Sequence, residues 1–139
     1  MNKGDESVGT KSKFLNSAEQ MHDQLGPALC LAKWKQVSLH LTTGMNNSCY
    51  HPPLHAIDPA EIKIDVSALH NTNYKKQQRQ LMLAGERPTE CQYCWNMEDQ
   101  GKLSDRHYRS GEPWAAVDFE TIKNSTGEEN VIPSYVEVN

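Results

Sequence analysis

Apolar residues are scarce in this chain: 37% of 139 residues, with aromatics at 7% and a mean hydropathy of −0.75. Hydrophobic burial is therefore a weaker opponent of chain entropy than in most domains, although the length suits one domain with a core. No apolar run approaches the length of a membrane span. Met1 to Lys13 carries Lys3, Lys11 and Lys13 without the apolar stretch of a secretory signal, so a cytoplasmic location is expected. Excess positive charge is also missing. Lys and Arg number 14 against 18 Asp and Glu, a net charge of −4, so no electrostatic footprint for nucleic acid or an anionic membrane is indicated.

What is present is a set of four cysteines. Cys30 and Cys49 bracket Gly44 as C-x13-G-x4-C, and Cys91 and Cys94 form a C-x2-C. In a reducing compartment cysteines serve more often as metal ligands or catalysts than as disulfides. Four thiolates complete one site for either tetrahedral zinc or an iron–sulfur cluster. Zinc modules usually present two close pairs, whereas here only Cys91 and Cys94 are close, which favours the cluster. A mixed zinc site remains the alternative, with His40, His51, His55, His70 or His107 as substitute ligands. Either metal would staple a modest core.

The rest of the chain alternates short helices with a few strands. Residues 1–13 read as a polar lead, followed by a helix capped at Asn16 or Ser17 and closed at Gly26-Pro27. Val37, Leu39 and Leu41 alternate with polar residues as in a half-buried strand. A turn over Thr43 to Asn47, centred on Gly44, completes a small hairpin that carries Cys49. Asp58-Pro59-Ala60-Glu61 has helix-start chemistry, while Ile62 to Leu69 is open between a brief strand and a buried turn. Thr72 to Ala84 is the longest expected helix, stopped at Gly85. Its apolar face is thin (Tyr74, Leu81, Met82), and Lys75, Lys76 and Arg79 are expected to form a solvated basic face. Cys91 to Asp99 passes from loop into a short helix, Ser104 to Arg109 forms another turn, and Gly111-Glu112-Pro113 breaks it. After a polar loop at 124–130, Ile132 to Val138 reads as a strand that needs neighbours for its backbone groups.

The C-x13-G-x4-C run followed by C-x2-C resembles the ligand pattern of twitch (SPASM-like) auxiliary-cluster domains in radical SAM proteins. The wording around it, "SCYHPP", "LHNTNYKKQQRQLMLAGERPTECQYCWNMED" and "PSYVEVN", is similar to twitch domain-containing members over about Cys30 to Asn139. The resemblance implies one auxiliary [4Fe-4S] cluster on Cys30, Cys49, Cys91 and Cys94. It also implies that "YVEVN" is the first strand of a radical SAM barrel. The C-x3-C-x2-C loop that binds the catalytic cluster and S-adenosylmethionine in that family does not occur in this chain. The expectation is a truncated N-terminal part, inactive alone, with S-adenosylmethionine relevant only to a full-length enzyme.

The expected architecture is α+β: a lead and short helix at 1–29, a loop-rich twitch-type domain at 30–112 with a β-hairpin followed by helices, and a linker and first barrel strand at 113–139. Full thiolate ligation leaves no open iron for substrate, so electron transfer or structural support is the expected role. Expected partners are the missing barrel and an electron donor such as flavodoxin or ferredoxin. Trp34, Tyr50, Tyr93 and Trp95, beside the ligands in sequence, are candidates for excluding water or simply for filling the core. A four-thiolate zinc module with a structural or interaction role is the competing reading.

Overall fold

The first strand of the sheet is its organiser. In the computed structural model, which describes residues 17–139, the chain is α+β, with a four-stranded mixed sheet ordered β3-β2-β1-β4. β1 (Gln36–His40) runs antiparallel to β2 (Met45–Asn47), with Ser38 opposite Asn47, and β2 pairs antiparallel with β3 (His55–Ala56). Gly44 has a φ of +68°, the left-handed conformation that a tight reversal requires and that glycine adopts without a Cβ penalty. Asn46 and Asn47, expected in the turn, lie in β2 instead. The hairpin nonetheless delivers Cys49 two residues beyond β2. β1 is also more buried than a half-covered strand, with Gln36, Val37 and Ser38 all inside.

The C-terminal strand finds its neighbour upstream. β4 (Tyr135–Val138) pairs in parallel with β1, Val136 opposite Val37 and Val138 opposite Leu39. A parallel pair needs a long crossover, and every helix from α3 onward lies within it. These are α3 (Pro59–Ile64), α4 (Asn73–Leu83), α5 (Gln92–Asp99), α6 (Asp105–Ser110), α7 (Pro113–Ala116) and α8 (Phe119–Lys123). Upstream, α1 covers 17–25 of the described residues and α2 is Ala32–Lys35. The polar lead and a cap at Asn16 lie outside the described residues.

Local chemistry explains most helix limits. The Asp58 carboxylate accepts from the Ala60 N–H at 2.9 Å with Pro59 at the first helical position, and the Thr72 hydroxyl accepts from the Lys75 N–H at 3.0 Å. Ile62 to Leu69 is neither strand nor buried turn. α3 continues to Ile64 and a 3-10 turn follows at Val66–Leu69, with Ile64 and Val66 largely exposed. Residues 113–123, in the segment expected as linker and strand, form α7 and α8. Ala115, Phe119 and Ile122 join Leu31, Trp34 and Met82 in the main apolar cluster. Each large apolar side chain so buried contributes about 1.5–3 kcal/mol.

The basic face of α4 is the clearest correction. Lys75 and Arg79 are buried (1% and 0% exposed) and point inward, while Tyr74 is 39% exposed. The cause is a set of backbone carbonyls at the passage from α2 into β1, which lack helical partners. Arg79 Nε donates to the Lys33 carbonyl (3.0 Å), His70 Nε2 to the Trp34 carbonyl (2.7 Å), and Lys75 Nζ to the Gln36 carbonyl (3.0 Å). The Lys35 carbonyl accepts from the Ser134 N–H at 2.8 Å. Lys75 Nζ also donates to His70 Nδ1 at 2.9 Å, which fixes His70 as the neutral ring with its proton on Nε2. With little apolar surface, α4 docks through hydrogen bonds from Lys75 and Arg79 to buried carbonyls, and burial followed by the nearby Arg79 pulls the Lys75 ammonium well below its ordinary value.

Candidate metal centre

Four separate elements bring the cysteines together. Cys30 sits just before α2, its carbonyl accepting from the Lys33 N–H at 3.1 Å, and the Leu31 N–H is held by Ser110 Oγ of α6 at 3.0 Å. Cys49 follows β2. Cys91 ends a 3-10 turn at Thr89–Cys91, and Cys94 lies in the first turn of α5. This last segment is pinned by Trp95, whose Nε1–H donates to the Pro88 carbonyl at 2.6 Å, and by Arg87, which pairs with Asp99 at 2.7 Å.

All four side chains line one partly open cavity, and all four are free thiols. The cavity volume is about 20 Å³. Lys33, His51, Trp95, Asp105, Arg106 and Arg109 contribute to the same wall. Among the described residues no group of three or more His, Cys, Asp or Glu is disposed to hold a single metal ion. Tetrahedral zinc, with Zn–S near 2.3 Å, requires its sulfurs to be about 3.8 Å apart. A cubane, with a sulfur on each iron corner, spaces them more widely.

Electrostatics in the cavity pull two ways: burial works against anionic sulfur, while the cations on the wall work for it. Burial pushes the Cys91 thiol up to about 11 and the Cys94 thiol up to about 12, with the neighbouring Cys30 adding to both. Burial likewise raises Cys49. These thiols are protonated near neutral pH until something positive replaces the proton. Burial alone would depress the Lys33 ammonium, but Cys91, Glu90 and Cys49 together raise it above its ordinary value. Arg109 is raised in the same way: Cys49, Asp105 and Tyr50 outweigh its burial. The Arg109 Nε–H is buried without a hydrogen-bond partner. Asp105 Oδ2 lies 4.0 Å from it. Four thiols with Lys33 and Arg109 on the same wall are a donor set chemically suited to a thiolate-ligated centre.

Of the five histidines offered as zinc ligands, only His51 reaches this cavity. It contacts Asp105 Oδ2 at 2.5 Å and stacks on Tyr93, ring centroids 4.0 Å apart and 8° from parallel. His40 bonds Asn47, His55 bonds Thr72, His70 bonds the Trp34 carbonyl, and His107 accepts from the Ser104 N–H at 3.0 Å. The aromatics divide similarly. Trp95 lines the cavity at 2% exposure, Trp34 belongs to the main core, and Tyr50 and Tyr93 are about half exposed.

Sequence reasoning missed Lys33, Arg106 and Arg109. Lys33 could have been found from its i+3 spacing to Cys30, which puts both on one side of a helical turn. The arginines had no such signal, because α6 approaches through tertiary contacts. Arg106 donates to Glu98 at 2.9 and 2.7 Å and to the Gly26 and Leu29 carbonyls at 2.9 Å each. No helix among the described residues is long and apolar enough to cross a membrane. No family model, no curated protein and no solved structure matches the chain.

Proposed function

We propose that the chain is an auxiliary iron–sulfur domain of the twitch type, holding one [4Fe-4S] cluster on Cys30, Cys49, Cys91 and Cys94 and working with a radical SAM barrel. The observation that carries this reading is the lining of a single cavity by all four thiols. A cluster bound there would supply one-electron transfer from a fully thiolate-ligated centre. The chain's own residues provide the rest. Trp95 keeps water from one side, Lys33 and Arg109 offset the charge of the thiolates, and Arg106 ties α6 to α5 through Glu98. Beside Cys94, the Arg106 backbone N–H counters the effect of burial on the sulfur. Cleavage of S-adenosylmethionine would belong to the barrel partner, and flavodoxin or ferredoxin would be the electron donor.

A four-thiolate zinc module is the competing reading, since four thiols lining one cavity also suit tetrahedral zinc. Anaerobic reconstitution with iron and sulfide tests the proposal. A brown protein with one cubane's complement of iron and sulfide, its broad visible absorption bleached by dithionite, is expected. Colourless protein that takes up one equivalent of zinc would refute it.

A further inference from the structure

The cavity wall carries three cations, Lys33, Arg106 and Arg109, of which Arg106 is held by Glu98 and by two backbone carbonyls. Lys33 is only 2% exposed in its side chain, and its Nζ reaches Glu90 Oε2 at 2.7 Å, a carboxylate itself 8% exposed. Glu90 Oε1 accepts from the Tyr74 hydroxyl at 3.0 Å. Lys33 lines the cysteine cavity and Glu90 does not. The ion pair is thus a buried dipole whose positive end faces the sulfurs, and whose negative end is turned toward Tyr74 at the surface. An ammonium bonded to a carboxylate is ordinarily a closed local pair. Here Lys33 lines the cavity beside all four cysteines while its carboxylate partner lies outside that lining, so its field extends into the cavity. Removal from water raises the strength of that field, because the effective dielectric is far below that of solvent. Arg109 also faces the cavity but its side chain is 19% exposed and lies 4.0 Å from Asp105, so its charge is more screened and partly offset.

Resting on the iron–sulfur reading, we infer that Lys33 is the residue that sets the reduction potential of the centre held by the four cysteines, with Glu90 as the opposing control. Lys33 favours whichever state of its neighbour is more negative. Reduction adds one electron, supplied by dithionite in the test below. No bond forms or breaks, and no proton needs to move. Lys33 therefore stabilises the reduced state relative to the oxidised one. Removing the ammonium lowers the potential, and neutralising Glu90 strengthens the ammonium's field and raises it. Lys33 is a positioning charge and not a ligand, so its effect is read as a shift in potential in the variants that retain iron and sulfide.

The test is an anaerobic optical redox titration of the reconstituted chain and of Lys33→Met, Lys33→Arg and Glu90→Gln. At the wild-type midpoint, Lys33→Met is expected to show a tenfold or greater fall in the reduced-to-oxidised ratio, equivalent to about 59 mV for a one-electron couple. Lys33→Arg, which retains the charge, should stay within threefold of wild type, and Glu90→Gln should move the ratio upward. A ratio within twofold of wild type for Lys33→Met, or a downward shift for Glu90→Gln, overturns the inference. Should Lys33→Met not retain iron and sulfide, Glu90→Gln decides: an upward shift supports the inference and an unchanged midpoint overturns it. Absence of iron and sulfide from the wild-type protein is a different result, since it removes the iron–sulfur reading and this inference with it.

Discussion

Acid should loosen this domain well before its carboxylates titrate, because two histidines are buried in the neutral form. His70 and His107 are 4% and 0% exposed. Burial, then the nearby Lys75 and Arg79, pulls His70 down to about 2. Burial, then Arg106, pulls His107 down to about 4 despite Glu98 acting the other way. In the unfolded chain both rings titrate near about 6.5. Between pH 6.5 and the folded values the unfolded state binds more protons, so stability is fully present above about pH 6.5 and falls as pH drops. From pH 7 to pH 5 each ring accounts for a loss of about 2 kcal/mol, and the pair for about 4 kcal/mol. His55, also held low, at about 4 by burial, acts in the same direction but is less enclosed and is left out of that sum. The depressed carboxylates Glu98, Asp65 and Glu129 lose their contribution only below the ordinary carboxylate range, outside this window. A loss of about 4 kcal/mol is a large part of the 5–15 kcal/mol typical of a folded domain. Urea unfolding followed by circular dichroism at pH 7 and pH 5 measures it. His107→Gln, whose amide oxygen can still accept from the Ser104 N–H, should roughly halve the difference. A wild-type change below about 1 kcal/mol would refute the reasoning. The consequence reaches the cysteine cavity, because His107 caps the helix that carries Arg106 and Arg109 into its wall.

Arg106→Met should cost about 3–5 kcal/mol, since it leaves Glu98 and two carbonyls without their buried donor. An unfolding free energy from urea titration within about 1 kcal/mol of wild type would show that Ser104, already bonded to Glu98 at 2.6 Å, satisfies it alone. Serine substitution of Cys30, Cys49, Cys91 or Cys94 singly should abolish stoichiometric iron and sulfide retention in anaerobic reconstitution. Any variant that keeps the full complement removes that position from the ligand set. Gly127→Ala is expected to cost about 1–3 kcal/mol and lower the thermal midpoint by a few degrees. Its φ is +87°, and an added Cβ would stand 2.9 Å from Gln80 Cγ and 3.1 Å from the Gln80 nitrogen. A midpoint equal to wild type would mean that Gln80 yields without cost.

Features set by neighbouring residues were legible in the sequence. Asp58-Pro59, Thr72 and Gly85 mark helix limits because caps and left-handed C′ positions are decided within a few residues. Gly44 marked the hairpin for the same reason. The strand at 135–138 was legible too, but not its partner. A parallel pair joining Gln36 to Tyr135 leaves no local trace, since its register depends on how six intervening helices pack. The cysteine set could be named by counting, whereas Lys33 and Arg109 became visible only once α2 and α6 faced the same cavity.

The thin apolar stripe of α4 held more information than a periodicity count extracts. Tyr74, Leu81 and Met82 are too few to dock an eleven-residue helix by burial alone, and Tyr74 is itself partly exposed. A helix that cannot be held by hydrophobic contact must be held by something else or lie free. The carbonyls of residues 33–36 supply that alternative, because each would carry a penalty of about 1–3 kcal/mol if buried unpaired. Lys75 and Arg79, one helical turn apart, match two of them in spacing and as hydrogen-bond donors. In a chain this poor in apolar residues, basic side chains at i and i+4 beside a weak stripe are better read as inward hydrogen-bond donors than as a solvated face. The same interaction fixes α2, and with it the positions of Cys30 and Lys33 at the cavity.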